Sequence, residues 1–121
     1  MSSATGTANK VAPAEPDERI SRHQAVYLSK KPLRKLFGDI HRDMRRLDDR
    51  WFGNTLGKRI ELGSGVAPIR DSYPDTLATD VVPSERIDMV MDAQALDVPA
   101  GSVRCLYLQN CFHHLPDPEA F

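Results

Sequence analysis

A chain of 121 residues with 40% hydrophobic and 27% charged residues has the make-up of an ordinary globular domain, large enough to bury a core. A net charge of −1 gives no global electrostatic reason to expect nucleic acid or an anionic membrane as partner. No stretch approaches the roughly 20 apolar residues of a membrane span, and no charged-then-apolar leader opens the chain. Cys105 and Cys111 form no disulfide framework and suit a reducing compartment, so the expected location is cytoplasmic.

Residues 1–16 are rich in Ser, Ala, Thr and Pro and bury too little to offset ordering entropy, which predicts a disordered tail. Residues 17–54 predict N-terminal helices. Asp17 to Lys30 carries Ile20, Ala25, Val26, Tyr27 and Leu28, and Pro32 marks a break or a first-turn position. Leu33, Leu36, Phe37, Ile40, Met44, Leu47 and Trp51 then follow steps of three and four, making one apolar stripe expected to pack on a sheet. Gly53-Asn54 ends that helix.

The charge is divided along the chain. Asp17 to Arg59 holds 12 Lys/Arg against 6 Asp/Glu, whereas Ile60 to Phe121 holds 3 against 10. A basic helical front beside an acidic sheet is expected, its helix face partly self-neutralised by i,i+3 pairs. A nucleic-acid arm is the less favoured reading.

From Arg59 the pattern changes to short apolar runs. Arg59-Ile60-Glu61-Leu62 predicts a buried strand that enters the tight turn Gly63-Ser64-Gly65. Pro68 to Ser72 predicts a brief helix. Further strands are predicted at Thr76 to Val82, Ile87 to Asp92 and Val103 to Gln109, and a loop and helix from Phe112. The fold class is therefore α/β, a Rossmann-like parallel sheet preceded by amphipathic helices. Only Pro83 to Arg86 separate strands two and three, so the return must be helix-free, with strand three short and at the edge.

Acidic residues stand at the carboxyl ends of three successive strands: Glu61, Asp80 and Asp92, separated by 19 and 12 residues. Ligands of open α/β sheets lie beyond those ends. A carboxylate suits a ribose diol or an amino N–H, and glycines admit close backbone approach. A phosphate-rich ligand would call for a Walker-type Lys after the loop, and none follows Gly65.

Together with Asp92-Ala93-Gln94-Ala95-Leu96 and Phe112-His113-His114-Leu115-Pro116-Asp117-Pro118, these residues resemble class I S-adenosylmethionine-dependent methyltransferases of the type 11 kind, over residues 58–121. The resemblance implies S-adenosylmethionine as cofactor and methyl transfer to a small-molecule acceptor. It sets Glu61, Gly63, Ser64 and Gly65 against the methionine part, Asp80 with Val81 at the ribose, and Asp92 with Ala93 at the adenine. Gln109 and Asn110 would lie beside the reacting methyl. The family's third glycine is replaced by Ala67, and its seven-stranded sheet would continue past Phe121, so the chain is expected to be the N-terminal part of a longer protein.

A nicotinamide or flavin domain shares the glycine turn, but its fingerprint needs Gly or Ala where Pro68 stands. A nucleic-acid amino-methyltransferase would show Asn/Asp-Pro-Pro-aromatic in place of Asn110-Cys111-Phe112. An inactive cofactor-binding fragment is the third alternative. Cys105, Cys111, His113 and His114 match no zinc spacing, so no metal is expected. The two histidines are read as packing and capping groups in preference to a general base. Methyl transfer to a good nucleophile rests mainly on positioning, so no catalytic side chain is assigned.

Overall fold

The computed structural model describes residues 18–109 and 115–121. The expected tail over 1–16, and Asn110, Cys111, Phe112, His113 and His114, lie outside the described residues. Among the described residues two helices come first, α1 (Glu18–Ser29) and α2 (Lys31–Phe52), with the single extended residue Lys30 between them. Pro32 sits in the first turn of α2, where its missing N–H costs nothing. The pair is clasped by the Tyr27 ring standing edge-on to Phe37 at 5.6 Å. Gly53, at φ 50°, ends α2 and returns its N–H to the Asp49 carbonyl.

Four parallel strands follow: β1 (Lys58–Leu62), β2 (Thr76–Asp80), β3 (Met89–Val90) and β4 (Val103–Leu108), in the order β3-β2-β1-β4. The connections are almost helix-free. Between β1 and β2 there is one 3-10 turn, Ile69–Asp71, and a second 3-10 turn, Pro118–Ala120, lies near the end of the chain. The third strand, expected over Ile87 to Asp92, pairs regularly only at Met89–Val90. Asp88 is the reason: its N–H meets the Ala78 carbonyl, its carboxylate takes the Ala78 N–H at 2.8 Å, and the Arg70 guanidinium pulls the side chain aside.

Alternation along β1 and β4 divides the core in two. Ile60 and Leu62 face one side, where Ala93, Leu96 and Val98 of the segment after β3 cover them without forming a helix. Cys105 and Tyr107 face the other side, against Ile69, Tyr73 and Met44 of α2.

One expectation is corrected here. Only part of the expected apolar stripe of α2 turns inward: Met44 packs against the sheet and Phe37 is half-buried, while the rest of the inward row is polar. Leu36, Leu47 and Trp51 are 53%, 55% and 72% exposed, and the inward row is Phe37, His41, Met44 and Asp48, with His41 and Asp48 buried and Phe37 and Met44 half-buried. Leu47 stands about 100° around the helix from Asp48. Ionic contacts set this rotation. The Asp48 carboxylate accepts from Arg59 Nε of β1 at 2.7 Å, from Arg104 Nε of β4 at 2.8 Å and from the Tyr107 hydroxyl. Burial alone would push this carboxyl up; the hydrogen bonds from Tyr107, Arg59 and Arg104 outweigh it and hold the pKa below the ordinary value. Arg45 adds a two-pronged pair with Asp75 and lies over the Tyr73 ring at 4.9 Å. The Arg45–Asp75 pair runs from basic helix to acidic sheet layer as expected, whereas the Asp48 cluster reverses that polarity, an acid of the helix held by arginines of the strands.

Asp48→Ala should strand two guanidinium groups under α2 and cost about 3–5 kcal/mol, read as the loss of unfolding free energy in denaturant. Gly57 is a second sensitive point. Its φ is 127°, and a Cβ there would meet the Arg104 nitrogen at 2.7 Å and the Ser102 oxygen at 2.9 Å. Gly57→Ala should destabilise by more than about 1 kcal/mol, lowering Tm by several degrees.

Candidate functional site

The strand order turns the sequence order of the acidic residues into a spatial one. Along the carboxyl edge the series runs Asp92 after β3, Asp80 at the end of β2, the Gly63-Ser64-Gly65 loop after β1, and Gln109 after β4. Neighbouring strands lie about 4.8 Å apart, so the series spans roughly 14 Å. The reversal of connection direction falls between β1 and β4, where open α/β sheets open a crevice.

The glycine loop is stitched to β2. Gly63 and Gly65 take φ of 66° and 54°, and Ser64 between them is pressed down into the sheet. Its N–H donates to the Thr79 carbonyl at 2.9 Å, and its hydroxyl accepts the Thr79 N–H at 3.1 Å. The Thr79 hydroxyl donates to the Glu61 carbonyl at 2.6 Å. Ser64 therefore continues the β1–β2 ladder, leaving the glycine backbone as the loop's outer surface.

Asp80 anchors the same loop from below. One carboxylate oxygen accepts the Gly65 N–H at 2.8 Å and the other the Val82 N–H at 3.1 Å. A carboxylate offers about four lone-pair sites, so two remain unused by these contacts. Val81 beside it is exposed. Asp92 takes the Gln94 N–H at 2.8 Å and its carbonyl takes the Ala95 N–H, a turn that buries Ala93 in the core. Gln109 is half-buried at the end of β4, and Asn110 lies outside the described residues.

Glu61 lies beneath the loop. It is 1% exposed, and its carboxylate accepts the Ile69 N–H at 2.9 Å. Burial pushes its pKa up to about 7; the Ile69 N–H and Ser64 hydroxyl pull down, and Asp80 and Asp71 add to the rise. What it contacts is the loop's own backbone.

Two residues at the site carry no motif signal. Gln24 of α1 reaches over the loop, its amide donating to the Gly65 carbonyl at 3.2 Å and to the Ser84 hydroxyl at 3.4 Å. His41 of α2 is 1% exposed, and neither ring nitrogen has a hydrogen-bond partner. A polar residue in helical register with Phe37, Met44 and Asp48 was the available sign of His41. The apolar stripe, which shares Phe37 and Met44 with that row, is the stronger pattern.

All three arginines after the loop are committed: Arg70 to Asp88 and the Arg86 carbonyl, Arg86 to Asp71, and Arg104 to Asp48. Among the described residues no group of three or more His, Cys, Asp or Glu could hold a metal ion, and no helix is long and apolar enough to cross a membrane. Comparison with family models, curated proteins and solved structures returns no match.

Glu61 gives the site a pH signature. Between its ordinary value of 4.5 and about 7 the folded chain holds a proton that the unfolded chain has released. Its stabilising contribution is full below 4.5 and falls as pH rises through about 7, with a slope of at most about 1.4 kcal/mol per pH unit. Thermal unfolding of Glu61→Gln should lack this fall between pH 5 and 8.

Proposed function

We propose that the chain binds S-adenosylmethionine along the carboxyl edge of its sheet, for methyl transfer to a small-molecule acceptor. The observation that carries this reading is the spatial order Asp92, Asp80, glycine loop, Gln109 along one edge. That order suits an extended ligand with a base at one end, a ribose next and an amino acid beyond. Asp92 and the backbone of Ala93 read the base edge. Asp80 takes the ribose hydroxyls on its free lone pairs, and the backbone of Gly63 and Gly65 lies along the amino-acid part. Gln109, after β4, lines the cofactor beside the sulfur that carries the methyl group, where the acceptor meets it.

The residues present fit that cofactor on chemical grounds. The loop ends in a three-residue 3-10 turn introduced by extended Pro68, at φ −63° and ψ 140°. It offers no long helix whose N-terminus would cradle a pyrophosphate, and Arg70 and Arg86 are already paired. A dinucleotide is therefore poorly served. A nucleoside joined to an amino acid, with no phosphate, is well served. When bound, the cofactor supplies a methyl group on a positively charged sulfur, open to attack by a nucleophile. The chain's part is positioning, which accounts for much of the advantage in a bimolecular displacement. The stitched Ser64–Thr79 pair and the Asp80 anchor hold the loop in place before any ligand arrives.

Calorimetric titration of the chain with S-adenosylhomocysteine tests the reading. Saturable binding that weakens about 10- to 100-fold in Asp80→Asn supports it, since Asn retains one oxygen for the loop while losing charge at the diol. Tighter binding of NAD or FAD than of S-adenosylhomocysteine would overturn it.

A further inference from the structure

The geometry points to His41 as a ligand contact: its imidazole holds the amino-acid end of an S-adenosyl ligand at the crevice between β1 and β4, an assignment that rests on the methyl-transfer reading above. His41 belongs to the inward row of α2, its ring 6.3 Å from that of Phe37. Three other elements surround it: the Gln109 side chain after β4, the backbone of Ala67 two residues past the glycine loop, and the Asp71 carboxylate. Neither Gln109 nor Ala67 meets hydrogen-bond geometry, so Nδ1 and Nε2 are both buried without a partner.

That is an unfavourable way to build a core. Buried polar groups are nearly always satisfied, and an orphaned one costs its desolvation outright. A side chain kept in that state has its partner elsewhere, and the fold locates that partner. Asp92 and Asp80 account for the base and ribose on the β3–β2 side. The part of the ligand that reaches past the loop toward β4 is the amino acid, which carries both an ammonium and a carboxylate. A neutral imidazole offers one N–H and one lone pair, which suit that pair of groups. Burial lowers the His41 pKa against the opposing effects of Gln109, Asp71 and Ala67, which keeps the ring in its neutral form. The Gln24 contacts across the loop, at 3.2 and 3.4 Å, are the ones an entering ligand has to part.

The test compares two probes, S-adenosylhomocysteine and 5′-deoxy-5′-methylthioadenosine, which share the adenosine and sulfur but differ in the amino-acid end. His41→Leu should weaken S-adenosylhomocysteine binding about 10- to 100-fold and leave methylthioadenosine within about twofold. The same substitution should leave Tm of the free protein unchanged or raised, because two orphaned polar atoms leave the core. In the unsubstituted chain, the ¹⁵N imidazole resonances of His41 should shift with S-adenosylhomocysteine and stay put with methylthioadenosine. That measurement holds even if the variant folds poorly. Equal losses for both probes, or no loss for either with unmoved resonances, would overturn the assignment while the cofactor reading stands. If the unsubstituted chain binds neither probe, the cofactor reading fails and His41 falls with it.

Discussion

A buried carboxylate governs how the helical and sheet layers meet. Asp48 is enclosed by α2 on one side and by β1 and β4 on the other, and only the convergence of Arg59, Arg104 and Tyr107 makes its charge tolerable there. Those three donors lie on two neighbouring strands, so they can be satisfied together at one rotation of the helix. That rotation brings Phe37, His41 and Met44 inward, and it leaves Leu36, Leu47 and Trp51 on the surface. The inward position of His41 follows from an ion pair two helical turns away.

The sheet edge is built by a similar economy. A Rossmann-like unit ordinarily covers both faces with crossover helices. Here the crossovers are a 3-10 turn and two irregular segments, and side chains do what helices would do. Ser64 and Thr79 lengthen the β1–β2 ladder, Asp88 ends the β2–β3 pairing, and Glu61 supports Ile69 from below. The loop is thus held by strands on rigid ground. A loop fixed before binding has less ordering entropy to lose when a ligand arrives.

Much of this was legible in the sequence, and the failures share a cause. The strands showed because parallel strands buried on both faces read as short apolar runs, and the glycine turn showed because only glycine accepts φ near 60° freely. The helix-free return to a short edge strand followed from chain reach alone. The rotation of α2 was not legible, since hydrophobic periodicity registers apolar rows and is blind to an acid with arginines 11 and 56 residues away. The orientation of Glu61 was hidden for the same reason: a strand-end acid facing a ligand and one supporting its own loop have identical local sequence. Only the Ile69 N–H distinguishes them.

Arg104 also closes the far end of the helix, donating to the Gly53 and Thr55 carbonyls at 2.7 and 2.6 Å as well as to Asp48. This has a consequence in time. The ribosome makes 56 residues between Asp48 and Arg104, which takes several seconds at ordinary elongation rates of about 5–20 residues per second. Through most of that interval Arg59 is the only one of the two arginines that has been made, so the shell around Asp48 is incomplete. Emergence of β4 caps the helix and completes the shell around the acid in one step. The rotation of α2 is therefore fixed only once β4 has been made, when an arginine of that strand locks a helix made long before it.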